Sequence, residues 1–76
     1  INKIDFNNST IQLYPNPTDN VLTFSETLEN IEVYNSYGQL VINRIDSTNY
    51  ILVAHLTTGI YFVKSDKGVM KFIVKD

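Results

Sequence analysis

The sequence predicts an all-β sandwich of about seven short strands, and three observations carry this prediction. Apolar-rich segments recur with their starts about ten residues apart, and turn-forming residues separate them. No segment combines a helical apolar repeat with capping residues. The length of 76 residues suits one small domain. The predicted strands are Ile11–Tyr14, Val21–Phe24, Ile31–Asn35, Gln39–Ile45, Tyr50–Ala54, Ile60–Ser65 and Val69–Lys75.

The first two predicted strands flank a proline-rich corner, Pro15–Thr18. Two prolines fix φ and hold the residues before them in extended conformations, so this segment is predicted to be rigid and non-helical. The second strand, Val21–Phe24, places Leu22 and Phe24 on one face.

The middle strands follow from alternation and turn residues. Ser25–Asn30 is predicted to be a polar loop, and Ile31–Asn35 alternates apolar and polar residues. Gly38 is the residue able to adopt a positive φ in the turn that follows. The inward face of Gln39–Ile45 is ambiguous, because apolar residues occupy both faces. Leu56 is expected to plug the end of the core beneath a short connection.

The last two strands predict a hairpin around Ser65–Gly68. Met70, Phe72 and Val74 point one way, and Lys71 and Lys75 point the other way. A two- or four-residue loop would add Tyr61 and Val63 to the inner face, whereas a three-residue loop would add Ile60 and Phe62. We expect the first register, because the second register would place the charged Lys64 opposite the apolar Met70.

Composition excludes several classes of function. The chain has no cysteine, so it has no disulfide, thiolate metal site or cysteine nucleophile. The net charge is −2 and basic residues are dispersed along the sequence, which argues against nucleic-acid binding. The longest strictly apolar run, Tyr50–Ala54, is far too short to insert into a membrane. The chain opens with Ile1 and has no signal peptide, so we expect a piece of something longer.

No catalytic, metal or cofactor site is predicted. The only histidine, His55, lies in a tight connection and no nucleophile motif surrounds a serine. Asn16, Asp19 and Asn20 carry oxygens suited to Ca²⁺, but their spacing is not that of a calcium loop and their turn role explains them. The chain is therefore expected not to be an enzyme.

Four segments, in this order, carry a resemblance to a known family. They are Leu13–Thr18, Val33–Val41, Leu56–Val63 and the basic finish Met70–Lys75. Together they closely resemble the C-terminal sorting domain of the type IX secretion system (type A, Por secretion tail family), over 11–76.

This resemblance implies an immunoglobulin-like β-sandwich at the end of a secreted cargo protein of Bacteroidota. It implies a domain over 11–76. Residues 1–10, which are rich in asparagine, serine and threonine, are expected to form a linker or a first short strand. The implied partners are the covalently fused N-terminal cargo, the type IX translocon, an outer-membrane shuttle protein and a sortase-like peptidase that usually removes the domain. The implied location is the periplasm in transit, then the cell surface or the medium.

The resemblance also transfers roles to matching residues. Residues expected to serve folding are Pro15, Pro17, Gly38, Leu56, Gly59 and Tyr61. Residues expected to contact the translocon are Asn16, Lys71, Val74, Lys75 and Asp76. Asp19-Asn20 stands where the family commonly has a Ser-Gly pair. An extended chain end beside a sheet edge suggests docking by strand addition or by capture of the carboxylate.

The alternative is an accessory carbohydrate-binding or adhesion module of a large extracellular protein. It would use Tyr34, Tyr37 and Tyr50 as a stacking platform, provided that these residues are exposed together. The sequence alone does not place them on a common face.

Overall fold

The computed structural model describes residues 11–75, which form seven β-strands and no helix. The strands are β1 (Leu13–Tyr14), β2 (Val21–Leu28), β3 (Ile31–Asn35), β4 (Leu40–Arg44), β5 (Thr48–Leu52), β6 (Gly59–Ser65) and β7 (Gly68–Val74). The predicted all-β class is confirmed. The predicted linker or first strand over 1–10, and Asp76, lie outside the described residues.

The strands form two antiparallel sheets, with orders β1-β2-β5 and β4-β3-β6-β7. One apolar core contains buried side chains from both sheets, as in a sandwich. The fold is an immunoglobulin-like β-sandwich, as the resemblance implied. A separate finding concerns membranes: residues 11–75 contain no helix of the length and apolarity needed to cross one.

The β6–β7 hairpin has the register that alternation predicted. Tyr61 pairs with Phe72 and Val63 pairs with Met70, and all four side chains are buried. The loop is the two-residue Asp66-Lys67, between paired Ser65 and Gly68. The hairpin therefore presents a continuous apolar face to the core and carries its lysines outside.

The predicted polar loop 25–30 is wrong in part, because β2 continues to Leu28. The register with β5 shifts between Thr23 and Leu28, so the extra length is accommodated by a bulge or similar irregularity. Leu28 is fully buried while the three residues before it are exposed. The polar run is thus an irregular strand whose final leucine belongs to the core. Its partner β5 accordingly begins at Thr48, earlier than predicted.

The sandwich has two ends, which we name here. The motif end comprises the connections 15–20, 36–39 and 53–58 together with the end of β7. The hairpin end comprises the connections 29–30, 45–47 and 66–67. Residues from all four of the segments that carry the family resemblance meet at the motif end, although they are far apart in sequence.

Candidate functional site

The proline corner leaves the three-stranded sheet after β1 and lies along the outer edge of β7. The side-chain oxygen Oδ1 of Asn16 accepts a hydrogen bond from the Ile73 backbone N–H at 3.0 Å, across 57 positions of sequence. The peptide bonds before Pro15 and Pro17 are both cis. The corner thus ties the edge of one sheet to the edge of the other.

Thr18 completes this junction, and sequence reasoning did not single it out. Its backbone N–H donates to the Ile73 carbonyl at 2.9 Å, and its carbonyl accepts from the Lys75 N–H at 2.9 Å. It forms a parallel bridge with Val74. The hydroxyl Oγ1 donates to the Val21 carbonyl at 2.8 Å, and the residue is only 2% exposed. Its position directly after Pro17 could have indicated this role, because a threonine hydroxyl there can bond to the backbone and fix the end of the proline corner.

Tyr61 fixes the loop that precedes β6. Its hydroxyl donates to the Thr57 carbonyl at 2.7 Å, and its ring stacks on Phe72 with centroids 5.7 Å apart. Leu56 packs against the core as a partly buried side chain. The predicted structural role of both residues therefore has a direct physical basis, since one end of Tyr61 is apolar and the other satisfies a loop carbonyl.

The two family glycines differ in what the fold requires of them. Gly38 adopts φ +83°, which side chains rarely tolerate, in a turn where Asn35 Oδ1 accepts from the N–H groups of Tyr37 and Gln39. Gly59 lies at the start of β6, and a methyl group there would meet only the Tyr61 ring, at an ordinary 3.9 Å. The fold needs glycine at 38, whereas neither crowding nor a positive φ demands it at 59.

A shallow depression of about 300 Å³ lies between the Gly38 turn and the loop before β6. Its lining residues are Asn35–Tyr37 and Thr57–Tyr61. Tyr37 stands at its side with 87% of its surface exposed. The depression brings two of the family segments together, but it contains no cluster of titratable groups.

The residues predicted to contact a partner differ in where the structure places them. Lys71 and Lys75 are exposed, and Asp76 lies outside the described residues. Asn16 is exposed, but its side-chain oxygen is already bound to β7. Val74 is only 2% exposed and packs in the core. A direct contact of the Val74 side chain with a partner is therefore incompatible with the folded domain, and its role is in packing.

Strand addition beside the chain end also needs correction. The outward-facing backbone groups of Ile73 and Lys75 are bonded to Asn16 and Thr18. A partner strand could pair there only by displacing the corner. Within residues 11–75, only the first half of the β7 edge is left open to an added strand.

Positive charge is concentrated in the β6–β7 hairpin, although the basic residues stand one at a time along the sequence. The hairpin 59–75 carries a net charge of +3 from four lysines and one aspartate, whereas 11–58 carries −4 from one arginine and five carboxylates. Strand alternation places Lys64 and Lys71 on the same outer face, where Lys64 is paired with Val69 and Lys71 with Phe62. They are diagonal neighbours, close enough for one acidic partner to reach both.

The hairpin end is closed by a carboxylate. Asp66 Oδ1 accepts from the Glu29 N–H at 3.0 Å, while the Asp66 N–H donates to the Glu29 carbonyl at 3.1 Å. The hydrogen bond from the Glu29 backbone is the main reason that the pKa of Asp66 lies below its usual value, with the nearby Lys67 ammonium contributing. This contact joins β2 to the hairpin opposite the motif end.

The three tyrosines of the carbohydrate-binding alternative do not share a face. Tyr34 lies on the outer face of the four-stranded sheet, where it pairs with Phe62. Its hydroxyl donates to Glu32 at 2.9 Å, and that hydrogen bond is the main cause of its raised pKa. Tyr50 lies on the outer face of the other sheet, beside Thr23, and Tyr37 is in the turn at the motif end. A single platform of these residues is therefore not formed.

The motif end presents backbone and amide hydrogen-bonding groups together with exposed lysines. His55 is exposed, and within 11–75 no three side chains of histidine, cysteine, aspartate or glutamate are placed to hold a metal ion. The proline corner and the end of β7 form a hydrogen-bonded backbone junction there, with the exposed Lys71 and Lys75 on the same strand.

Comparison with known proteins points to one family. The family model described as "Secretion system C-terminal sorting domain" matches residues 12–75. No curated protein and no solved structure gives a significant match to the chain. The matched range includes the proline corner, the Gly38 turn, the loop before β6 and the end of β7, which are the parts that meet at the motif end.

Proposed function

Because the chain belongs to the family of secretion system C-terminal sorting domains, we propose that it directs a cargo protein fused ahead of it through the type IX translocon of the outer membrane. The family is not an enzyme class, and the domain acts as an address label read by other proteins. The observation that carries the proposal is the convergence of the family's segments at one end, where Asn16 and Thr18 hold the end of β7.

The direction of the chain supports this role. Gln12 exchanges hydrogen bonds with Ser25 at 2.9 Å each, on the side of β1 away from the proline corner. The chain therefore runs toward the motif end as it enters the sandwich. A cargo fused ahead of this chain is joined through Ile11, which lies on the side of β1 away from the motif end.

We propose Lys71 and Lys75 as the side chains that contact the translocon or its shuttle protein, together with Asp76. Both lysine side chains are exposed, and the backbone of Lys75 is held by Thr18. Asn16 serves recognition by fixing the position of β7, and Val74 by packing beneath it. Cleavage by a sortase-like peptidase would occur ahead of Ile11, because Ile11 is buried and Gln12 is bonded to β2.

The test is a fusion of residues 1–76 to a periplasmic reporter in a host with a type IX system. The reporter is expected outside the cell, and in the periplasm of a matched host that lacks the translocon. Reporter trapped in the periplasm of the complete host would overturn the proposal. The mass of the secreted reporter shows whether the domain is removed ahead of Ile11.

Two variants separate folding from recognition. Lys75→Ala removes the ammonium but keeps the N–H that bonds Thr18, so it is expected to lower export while the domain stays folded. Deletion of Lys75 and Asp76 removes the ammonium as well as the N–H that bonds Thr18, and is expected to abolish export. Lys67→Ala, at the hairpin end, is the matched control and should export normally. Equal export by Lys75→Ala and the wild type would remove Lys75 from the contact.

A further inference from the structure

The edge of β7 is divided into an occupied half and an open half. Ile73 and Lys75 bond outward to the proline corner. In an antiparallel strand the N–H and C=O of one residue point to the same side, and the side alternates along the chain. The pairing of β6 with β7 has no register shift, so Lys71 and Val69 share the outward orientation of Ile73.

Within residues 11–75, no group bonds to these outward backbone positions of Val69 and Lys71. We call this stretch, Val69–Lys71, the open edge. It provides two N–H donors and two C=O acceptors in a row, which is the pattern that an added strand needs. Since the corner begins at Ile73, an added strand of about three to five residues fits there.

The surroundings of the open edge are basic and apolar. Lys71 lies on it and Lys64 lies diagonally across, and neither ammonium is within ion-pair distance of a carboxylate of residues 11–75. Phe62 is half-buried and Ile73 is 38% exposed on the same outer face. A second copy of this chain would bring lysine against lysine at this edge, so self-pairing is disfavoured.

We propose that the open edge binds an extended, acidic segment of a partner protein as an additional strand. The segment bonds to the backbone of Val69 and Lys71. Its acidic side chains lie on the outer face beside Lys71, within reach of Lys64, and its alternate, apolar side chains point to the core side of the sheet, where Met70 lies. The identification of the partner as a component of the export apparatus rests on the proposed function. The short edge fits a transient contact rather than a permanent one, because few residues are buried.

An anionic lipid surface fits the same charge less well. Backbone donors and acceptors at an edge need hydrogen-bonding partners, which a peptide supplies and lipid tails do not. Glu32, paired with Lys64, lies on this outer face two strands away from β7. A broad anionic surface would cover Glu32 and be repelled by it, whereas a strand added at the β7 edge would not lie over it. The open edge therefore favours a peptide.

The test measures binding of a synthetic five-residue peptide of alternating glutamate and valine with blocked ends. Backbone amide signals of the full chain are followed by NMR during titration, and amide hydrogen exchange is measured with and without peptide. Shifts centred on Val69–Lys71 and slower exchange of the Val69 and Lys71 amides are expected. The matched peptide of alternating lysine and valine is expected not to bind.

Two variants probe the backbone and the charge separately. Val69→Pro removes an outward N–H at a position where edge proline is tolerated, and is expected to abolish binding with the fold retained by circular dichroism. Lys71→Glu is expected to weaken binding about fivefold. Lys67→Glu, with the same change of net charge at the hairpin end, should bind like the wild type. If Val69→Pro fails to fold, Lys71→Glu and the exchange measurement still show whether the open edge binds the acidic peptide.

Several results would overturn the inference. They are shifts centred on β4 or β5, equal binding of the lysine peptide, protection of the Val69 and Lys71 amides before peptide is added, and binding to phosphatidylglycerol vesicles but not to the acidic peptide. The reporter fusion keeps the two proposals distinguishable. If the wild type is exported and both edge variants are exported equally, the open edge is not used in export although the sorting function stands.

Discussion

Both ends of the sandwich are closed by contacts between distant parts of the chain, but they use different chemistry. At the motif end, an uncharged amide and a buried threonine hold β7 through Asn16 and Thr18. At the hairpin end, an exposed carboxylate, Asp66, bonds the backbone of Glu29. The first closure is indifferent to pH and nearly indifferent to salt, whereas the second depends on ionisation.

The difference shows which end of the fold needs the more precisely placed hydrogen-bonding groups. The hairpin end needs only to stay closed, and an exposed turn aspartate achieves that. The motif end positions β7 relative to the corner, and small uncharged groups with fixed geometry do so more strictly than a solvated charge. Substitutions that weaken one end show whether the other end responds.

The largest effect is expected from Thr18→Val. The substitution keeps the shape of the side chain but removes the hydroxyl that donates to the Val21 carbonyl, in a site that is 2% exposed. Leaving the partly buried Val21 carbonyl without its partner costs about 1–2 kcal/mol of the free energy of unfolding. Urea denaturation measures this loss. Thr27→Val, at an exposed position of β2, is the matched control and should change stability by less than about 0.5 kcal/mol.

A smaller effect is expected from Asn16→Ala. It removes the acceptor of the Ile73 N–H, and loss of about 1 kcal/mol is expected because water can partly replace an exposed acceptor. Amide exchange should accelerate at Ile73 and stay unchanged at Glu29, which belongs to the hairpin end. Asn16→Asp keeps an oxygen acceptor and should leave Ile73 protected. Unchanged exchange at Ile73 in the alanine variant would show that the corner is held by Thr18 alone.

The smallest effect concerns pH. Because the pKa of Asp66 is lowered in the folded state, its contribution to stability is present above the usual carboxyl pKa and is lost as the pH falls through the folded-state value. Asp66→Asn should therefore flatten the decline of stability at acid pH and leave Ile73 exchange unchanged. Thermal unfolding across the acid range measures the slope. An acid slope identical to that of the wild type would assign the decline to other carboxylates, of which Asp46 beside Arg44 also has a lowered pKa.

The sequence predicts those features of the fold that are encoded by neighbouring residues, and it misses those that depend on a distant partner. The β6–β7 register follows from Met70, Phe72 and Val74 alternating with lysine, and the structure confirms it. The end of β2 was missed because Ser25, Glu26 and Thr27 carry no apolar pattern and the strand is irregular there. A polar run followed by one buried leucine looks like a loop until its partner strand is known.

The junction of the corner with β7 could not be predicted, because nothing near Asn16 indicates a partner 57 positions away. The clustering of lysines was missed for a related reason. Lys64 and Lys71 are separated in sequence but become diagonal neighbours once the hairpin forms. The family resemblance identified the four segments, and only the structure shows that they meet at the motif end.

The direction in which the chain enters the sandwich has a mechanical consequence. Hydrogen bonds between β1 and β2, and between Gln12 and Ser25, run across the strands. If a partner grips the motif end while a passenger drags on Ile11, the tension acts along the strands and shears all of these bonds together. Breaking these bonds one at a time would take less force, so a pull on Ile11 in this direction is resisted by all of them at once.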